Sequence, residues 1–375
     1  MRFIVSSTAL CSKLSTLSKV IASKNAMEIL FDFIFEVEGN ILNIKASDGE
    51  NTMETQVELS ESDVDGLIAI RNEDILEAIK GLSEQPLTFE CNVEQRLCSI
   101  FYQNGLFTMP VDDVEEAPEI PVVGPDAKSF VIPANILLDN INRSLFAAAQ
   151  DNLRLVMNGI YFGLSNEGLS IVASDGHELV RNIIMTIKSD EPSSFIMAKK
   201  PAALLKSILT EDGGDVTIRY DKQNAFIDYG DGTLTCRLID GRYPNYSAVI
   251  PQYNANEAIV DRQTLLQAIR RVTPFAPVSS RLVKFHFDAG TLRLDAQDID
   301  YSKAATERMV CQYTGTPMSI GFKGTSFTDV IAAIESTDVV IQLADPSRAG
   351  LIMPAEQPEN QDILMLLMPM IIYDN

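Results

Sequence analysis

The stretch IVASDGHELV, residues 171–180, sets Ser174, Asp175 and His177 within four positions of a chain that has only two histidines. A serine, an acid and a histidine are the members of an acyl-transfer triad, so hydrolysis is the first chemistry to weigh. A triad draws its members from separate parts of a fold, each touching the next. Successive residues of a strand instead point to opposite faces, so Ser174 and Asp175 converge on His177 only through an unusual turn at Gly176. The second histidine, His286, alternates with Lys284 and Asp288 opposite Val283, Phe285 and Phe287, the pattern of an exposed strand position. Neither histidine has a partner at metal-ligand spacing, and no H-E-x-x-H occurs. No catalytic residue, metal or cofactor is therefore expected, and a repeat-built hydrolase using His177 and Asp175 is kept only as an alternative.

Composition sets the frame for this stretch. The chain has 375 residues, 46% of them hydrophobic, and no apolar run approaches the roughly 18–20 residues that cross a bilayer. Such a length holds two or three packed domains. Against 30 basic residues stand 52 acidic ones, a formal charge of −22 that should repel polyanions at long range. Cys11, Cys91, Cys98, Cys236 and Cys311 are odd in number and contain no C-x-x-C pair, which suggests neither a disulfide framework nor a zinc knuckle. Cys91 and Cys98 flank a polar turn and read as small strand residues, and a reducing cytoplasm fits best. The apolar core of the N-terminus, Phe3 to Val5, is too short for a signal segment.

ASDG also occurs at Ala46 to Gly49, and both copies end an apolar strand pattern, ILNIKASDG and GLSIVASDG; TLRLDAQD, ending at Asp298, is a third relative. The segments starting at Phe3, Phe130 and Ala258 each read as a short strand followed by a helix, with Leu10, Leu137 and Leu265 in register. A second strand and helix follow from Gly66, Ser193 and Pro317. The chain thus reads as three copies of a unit of roughly 125 residues, each of two strand-helix-strands halves. Expected boundaries are 1–121, 128–250 and 251–375, with the acidic PVDDVEEAPEIP, Pro110 to Pro121, as a solvated linker. The expected fold class is α+β.

Positive charge is concentrated in the stretches that hold the first helix of the first and third repeats, and the second repeat is weaker, with Lys128 and Arg143 against Asp139. Met1 to Met27 holds Arg2, Lys13, Lys19 and Lys24 without an acid, and Arg262 to Phe287 holds five basic residues without one. If equivalent helices share a surface, that surface is basic while the rest is acidic, and it can contact phosphates without reading bases.

The threefold repeat, the basic helices and the strings ASDGHEL, IDGRYPNYSAVIP and LLMPM together resemble the bacterial sliding clamp family, the beta subunits of DNA polymerase III, over the whole length. The resemblance implies three clamp domains, with helices lining a ring and sheets outside. It implies a non-catalytic head-to-tail homodimer that encircles double-stranded DNA and gives a polymerase processivity. It further implies a cleft for short peptides of the polymerase III catalytic subunit, the clamp loader, other polymerases and mismatch-repair proteins. Carried over, that cleft comprises Met157, Ser174, Gly176, His177, Glu178, Leu179, Pro244, Ala248, Val249, Leu366, Leu367, Met368, Pro369 and Met370. Lys24, Gln150, Arg154, Lys199 and Lys200 match DNA-facing positions, and Phe107, Met109 and Phe275 match the dimer interface. Glu178 and Ala248 stand where arginines occur in the family, which would remove positive charge from the cleft rim. The segment IIYDN extends the tail beyond the family's usual ending. A clamp-like protein scaffold that does not encircle DNA is a further alternative.

Overall fold

The structure, a computed structural model, describes residues 1–114, 117–151 and 153–372. The six α-helices among them begin where the repeats place them: α1 Ser7–Leu17, α2 Asn72–Ile79, α3 Ala134–Ser144, α4 Lys199–Ile208, α5 Arg262–Val272 and α6 Gly324–Ala332. Local chemistry explains their starts and faces. Ser6 and Asp261 cap α1 and α5 by accepting the N–H groups of Ala9 and Thr264, a contact worth about 1 kcal/mol each. On α1, Leu10, Leu14 and Leu17 recur at helical spacing and are buried; on α5, Leu265, Leu266, Ala268, Ile269 and Val272 do the same. Arg270 and Arg271 lie in the last turn of α5, where cations complement the helix dipole.

Two compact units account for the described chain. The first spans 1–138 and 203–238, the second 139–202 and 239–375. A five-stranded sheet in the first unit runs in the order Glu61–Ser62, Arg2–Ser6, Pro86–Asn92, Leu97–Tyr102, Gly105–Pro110. Its eight-stranded sheet carries Lys128–Pro133, Asp215–Tyr220, Asn224–Tyr229 and Gly232–Arg237 of the second repeat beside Asn51–Glu58 and three more strands of the first. In the second unit, a nine-stranded sheet places Ser193–Ala198, Gly159–Leu164, Leu169–Ser174 and Glu178–Ile184 beside Gln361–Leu367 and four more strands of the third repeat. A four-stranded sheet in the order Lys303–Val310, Thr291–Asp298, Leu282–Asp288, Met318–Lys323 completes it.

The second repeat is thus divided between sheets it shares with each neighbour. Both seams are antiparallel and use equivalent strands: Gly232 pairs with Thr55 and Cys236 with Asn51, while Glu178 pairs with Leu367 and Ile184 with Gln361. Pairing of this kind covers strand edges that would otherwise expose unpaired N–H and C=O groups.

The expected linker is less free than its composition suggests. Asp112 exchanges both backbone hydrogen bonds with Ala69, and Val114 and Ala117 pack against Ile29, Leu30 and Ala69. Two of its three glutamates, Glu115 and Glu116, lie outside the described residues. No helix among the described residues is long and apolar enough to cross a membrane.

Candidate binding cleft

The turn after Leu169–Ser174 is closed by its own polar side chains. Asp175 Oδ1 accepts the N–H groups of His177 and Glu178 at 2.7 and 2.8 Å, and Ser174 Oγ donates to the Glu178 carbonyl at 2.7 Å while accepting the Gly176 N–H at 3.1 Å. The copy in the first repeat repeats this pattern: Asp48 Oδ1 accepts the N–H groups of Glu50 and Asn51, and Ser47 Oγ bonds the Asn51 carbonyl and the Gly49 N–H. Gly176 and Gly49 have φ of +91° and +92°, a conformation that disfavours any side chain. The serine and aspartate are therefore occupied in shaping a turn, and the hydrolase alternative loses its geometry.

What the turn does position is the strand that follows. Glu178–Ile184 pairs along its length with Gln361–Leu367, and the Met368 N–H then donates to the His177 carbonyl at 2.8 Å. Two residues on, the Met370 N–H donates to the Gly321 carbonyl, also at 2.8 Å. The tail is thereby pinned at both ends of the MPM segment. Beside it lies an apolar cluster of Val172, Leu179, Ile196, Tyr243, Ala349, Leu351, Leu364 and Leu366, against which Val156, Tyr161, Ile239, Tyr246, Ile250 and Met353 pack. Tyr161 stands 5.2 Å from Tyr243 and 5.9 Å from Tyr246, ring centre to centre.

Of the expected cleft residues, Met157, Ser174, Leu179, Leu366 and Leu367 are buried. Gly176, His177, Pro244 and Ala248 are exposed, Val249 is 60% and Met368 45% exposed, and Pro369 and Met370 are half-buried. An apolar floor with exposed methionine and valine at its margin suits leucine or phenylalanine side chains. Sequence reasoning missed the tyrosines, Ala349 and Leu351. Two of the tyrosines sit in the quoted RYPNY, and their density beside Pro244 was the available signal.

Glu178 corrects an expectation. Its side chain is not on the rim: the residue is 8% exposed, with the Ser326 hydroxyl of α6 beside it. Burial pushes its carboxyl up to about 7; Asp175 and Asp329 add to the rise, whereas the Ser326 hydrogen bond and Lys323 oppose it. Glu178 itself is therefore not part of the exposed margin of the cleft. Ala248 does stand exposed. Tyr373 to Asn375, part of the extended tail, lie outside the described residues.

Arg154 is also placed differently. A Cβ on Gly176 would come within 2.6 Å of Arg154 Nη1, and the same guanidinium pairs with Asp151 at 2.9 Å, so this side chain covers the cleft turn. Lys24 and Gln150 are exposed, Lys199 and Lys200 half-buried, and Lys199 Nζ donates to the Ala148 carbonyl at 3.1 Å. Several other basic residues are engaged within the protein: Lys13 pairs with Asp231, Lys19 Nζ donates to the Ser207 carbonyl, and Arg271 pairs with Glu307. Of the expected interface residues, Phe275 is exposed and Phe107 half-buried, stacked on Tyr102 at 4.7 Å. Met109 is buried in its own sheet and offers little surface, because alternation on Gly105–Pro110 turns it inward. His286 is half-buried rather than exposed, with Nδ1 2.7 Å from Ser319 Oγ.

Residues 1–121, 131–245 and 247–371 match in turn the N-terminal, central and C-terminal domain models of the DNA polymerase III beta subunit. The chain belongs to that family. It is 26% identical to the beta sliding clamp of Pseudomonas aeruginosa, over 99% of this chain and all of that one, and 27% identical to that of Caulobacter vibrioides, over 98% and all. Its fold superposes on the crystal structure of the P. aeruginosa DNA polymerase III subunit beta with a TM-score of 0.93 at 24% identity, covering 99% of this chain and all of that one. The Bacillus subtilis DNA polymerase sliding clamp gives 0.92 at 21% identity, covering both chains fully. The α+β architecture is thus the three-domain clamp fold. Membership carries the function of a DNA sliding clamp that confers processivity without catalysing a reaction, in keeping with a serine and aspartate committed to a turn.

Proposed function

We propose that two copies of this chain close head to tail around duplex DNA in the cytoplasm, and that each copy offers the cleft to short peptides. The observation that carries this reading is the seam pattern. Within the chain, the third strand of one half-repeat pairs with the last strand of the next repeat, as Asn51–Glu58 with Gly232–Arg237 and Glu178–Ile184 with Gln361–Leu367. By the same rule Lys303–Val310 lacks its partner and Gly105–Pro110 lacks its own; both are sheet edges. A head-to-tail contact between copies supplies each, and one that closes at two subunits makes a ring. Val310 at 83% exposure and Leu106 at 50% are apolar residues left on those edges. They supplement Phe107 and Phe275, while Met109 supports the contact from within the sheet. The three domains in this reading are 1–121, 128–250 and 251–375.

A closed ring needs only weak phosphate contacts, because topology rather than affinity retains the duplex. Lys24, Gln150, Lys199 and Lys200 are the residues proposed to supply them; Arg154, held over the cleft turn, is assigned to peptide recognition. The partners proposed for the cleft are the polymerase III catalytic subunit, the clamp loader, other polymerases and mismatch-repair proteins, through Leu- and Phe-bearing motifs.

Removing the chain from Met368 onward deletes the pinned MPM segment and leaves Gln361–Leu367 intact. Fluorescence anisotropy with a labelled Leu/Phe peptide should show at least a tenfold loss of affinity while light scattering reports an unchanged dimer. Unaltered peptide affinity would exclude the tail from the cleft.

A further inference from the structure

Cys91 and Cys98 face each other across the hairpin of strands Pro86–Asn92 and Leu97–Tyr102. The backbone of Cys91 is committed to the opposite side: its N–H donates to the Met1 carbonyl at 2.9 Å, and its carbonyl accepts the Met1 ammonium at 3.1 Å. Because the N–H and C=O of one strand residue point the same way, Cys91 makes no ladder bond to Cys98. The two form a non-hydrogen-bonded pair, in which Cα atoms approach to about 4.5 Å. That separation falls inside the range of about 4.4–6.8 Å that a disulfide spans. Both side chains lie on the buried face, and their thiols hydrogen-bond to each other. Both are free cysteines.

We propose that Cys91 and Cys98 form a modification site, a dithiol that hydrogen peroxide closes to a disulfide. Peroxide first converts the Cys91 thiol, the less buried of the two, to a sulfenic acid and releases water. The Cys98 sulfur then displaces the hydroxyl, forming the S–S bond and a second water, so that two thiols and one peroxide give one disulfide and two waters. A reducing compartment keeps the pair open. The hydrogen bond with Cys91, and then burial, hold the Cys98 thiol protonated, which slows closure.

The position gives closure a consequence. Leu97–Tyr102 also pairs with the edge strand Gly105–Pro110, and Cys98 stands in register with Met109. A cross-link pins the strand that carries this edge, and so stiffens the surface on which a second copy is proposed to dock. Only this last consequence rests on the dimer reading.

Arg96 lies between the two cysteines, so trypsin separates them onto peptides 81–96 and 97–128. The native full-length protein, treated with peroxide and then alkylated, should yield these two peptides joined, with an intact mass lower by two hydrogens and reversal by dithiothreitol. Hydrogen exchange should slow in 97–102 and 105–110. Cys91→Ser and Cys98→Ser should each abolish the linked pair, but the wild-type map decides the matter alone if a variant misfolds. Peptides that stay unlinked while Cys11 oxidises, or that link only in urea, would overturn the site. A cross-link that leaves exchange unchanged would overturn the stiffening, and neither result depends on whether the protein dimerises.

Discussion

Glu178 shows how a single position can mislead. A charged residue in the midst of a surface motif reads as exposed, because isolated acids are almost never fully buried. Its strand is covered on both faces, however, with Glu178, Leu179, Val180, Asn182 and Ile184 all buried. Burial raises its carboxyl from 4.5 to about 7, so the folded state holds a proton that the unfolded chain has released between those values. The stability this group contributes is complete below about 4.5, declines as pH rises through that window and is gone above about 7. Glu178→Gln removes the titration. Urea denaturation at pH 8 should find the variant more stable, by up to about 3 kcal/mol, and at pH 4 the two proteins should match. A variant no more stable at pH 8 would mean that its surroundings hold the ionised carboxylate without penalty. By contrast, Ser174, Asp175 and Gly176 were legible, since a repeated ASDG with glycine at the positive φ is a local device that sequence carries in full.

At the scale of elements, the helices and the threefold repeat were readable because their signals are local. Leu10, Leu137 and Leu265, in register across the three repeats, are all fully buried. The sheets were not readable in the same way. The strands that meet at the seams are far apart in the chain, and nothing in the alternation of Asn51–Glu58 names Gly232–Arg237 as its partner. Nor could alternation alone place Met109 inside and Leu106 outside. The edge Gly105–Pro110 allows a direct test of the proposed contact. Since the Val111 N–H donates back to the Arg96 carbonyl, the odd positions of this strand bond inward, and Thr108 directs its N–H outward. Thr108→Pro removes that donor where an edge strand tolerates proline. Light scattering at micromolar concentration should report monomers with an unchanged circular dichroism spectrum. A persistent dimer would remove this strand from the contact.

For the whole molecule, the charge balance poses the question that the ring answers. A protein of formal charge −22 has little attraction for DNA at long range, and internal ion pairs engage part of the basic residues it does have. Enclosure makes strong local binding unnecessary, and a few cations then suffice to hold phosphates loosely enough to slide. A scaffold that merely adhered to DNA would need the opposite balance, and would lose its hold steeply with salt. The most direct test is to load the protein onto nicked circular DNA with its cognate loader, isolate the complex at high salt and then linearise the circle. Enclosure predicts retention on the intact circle and rapid loss once the DNA has ends. Equal retention on circular and linear DNA would contradict it.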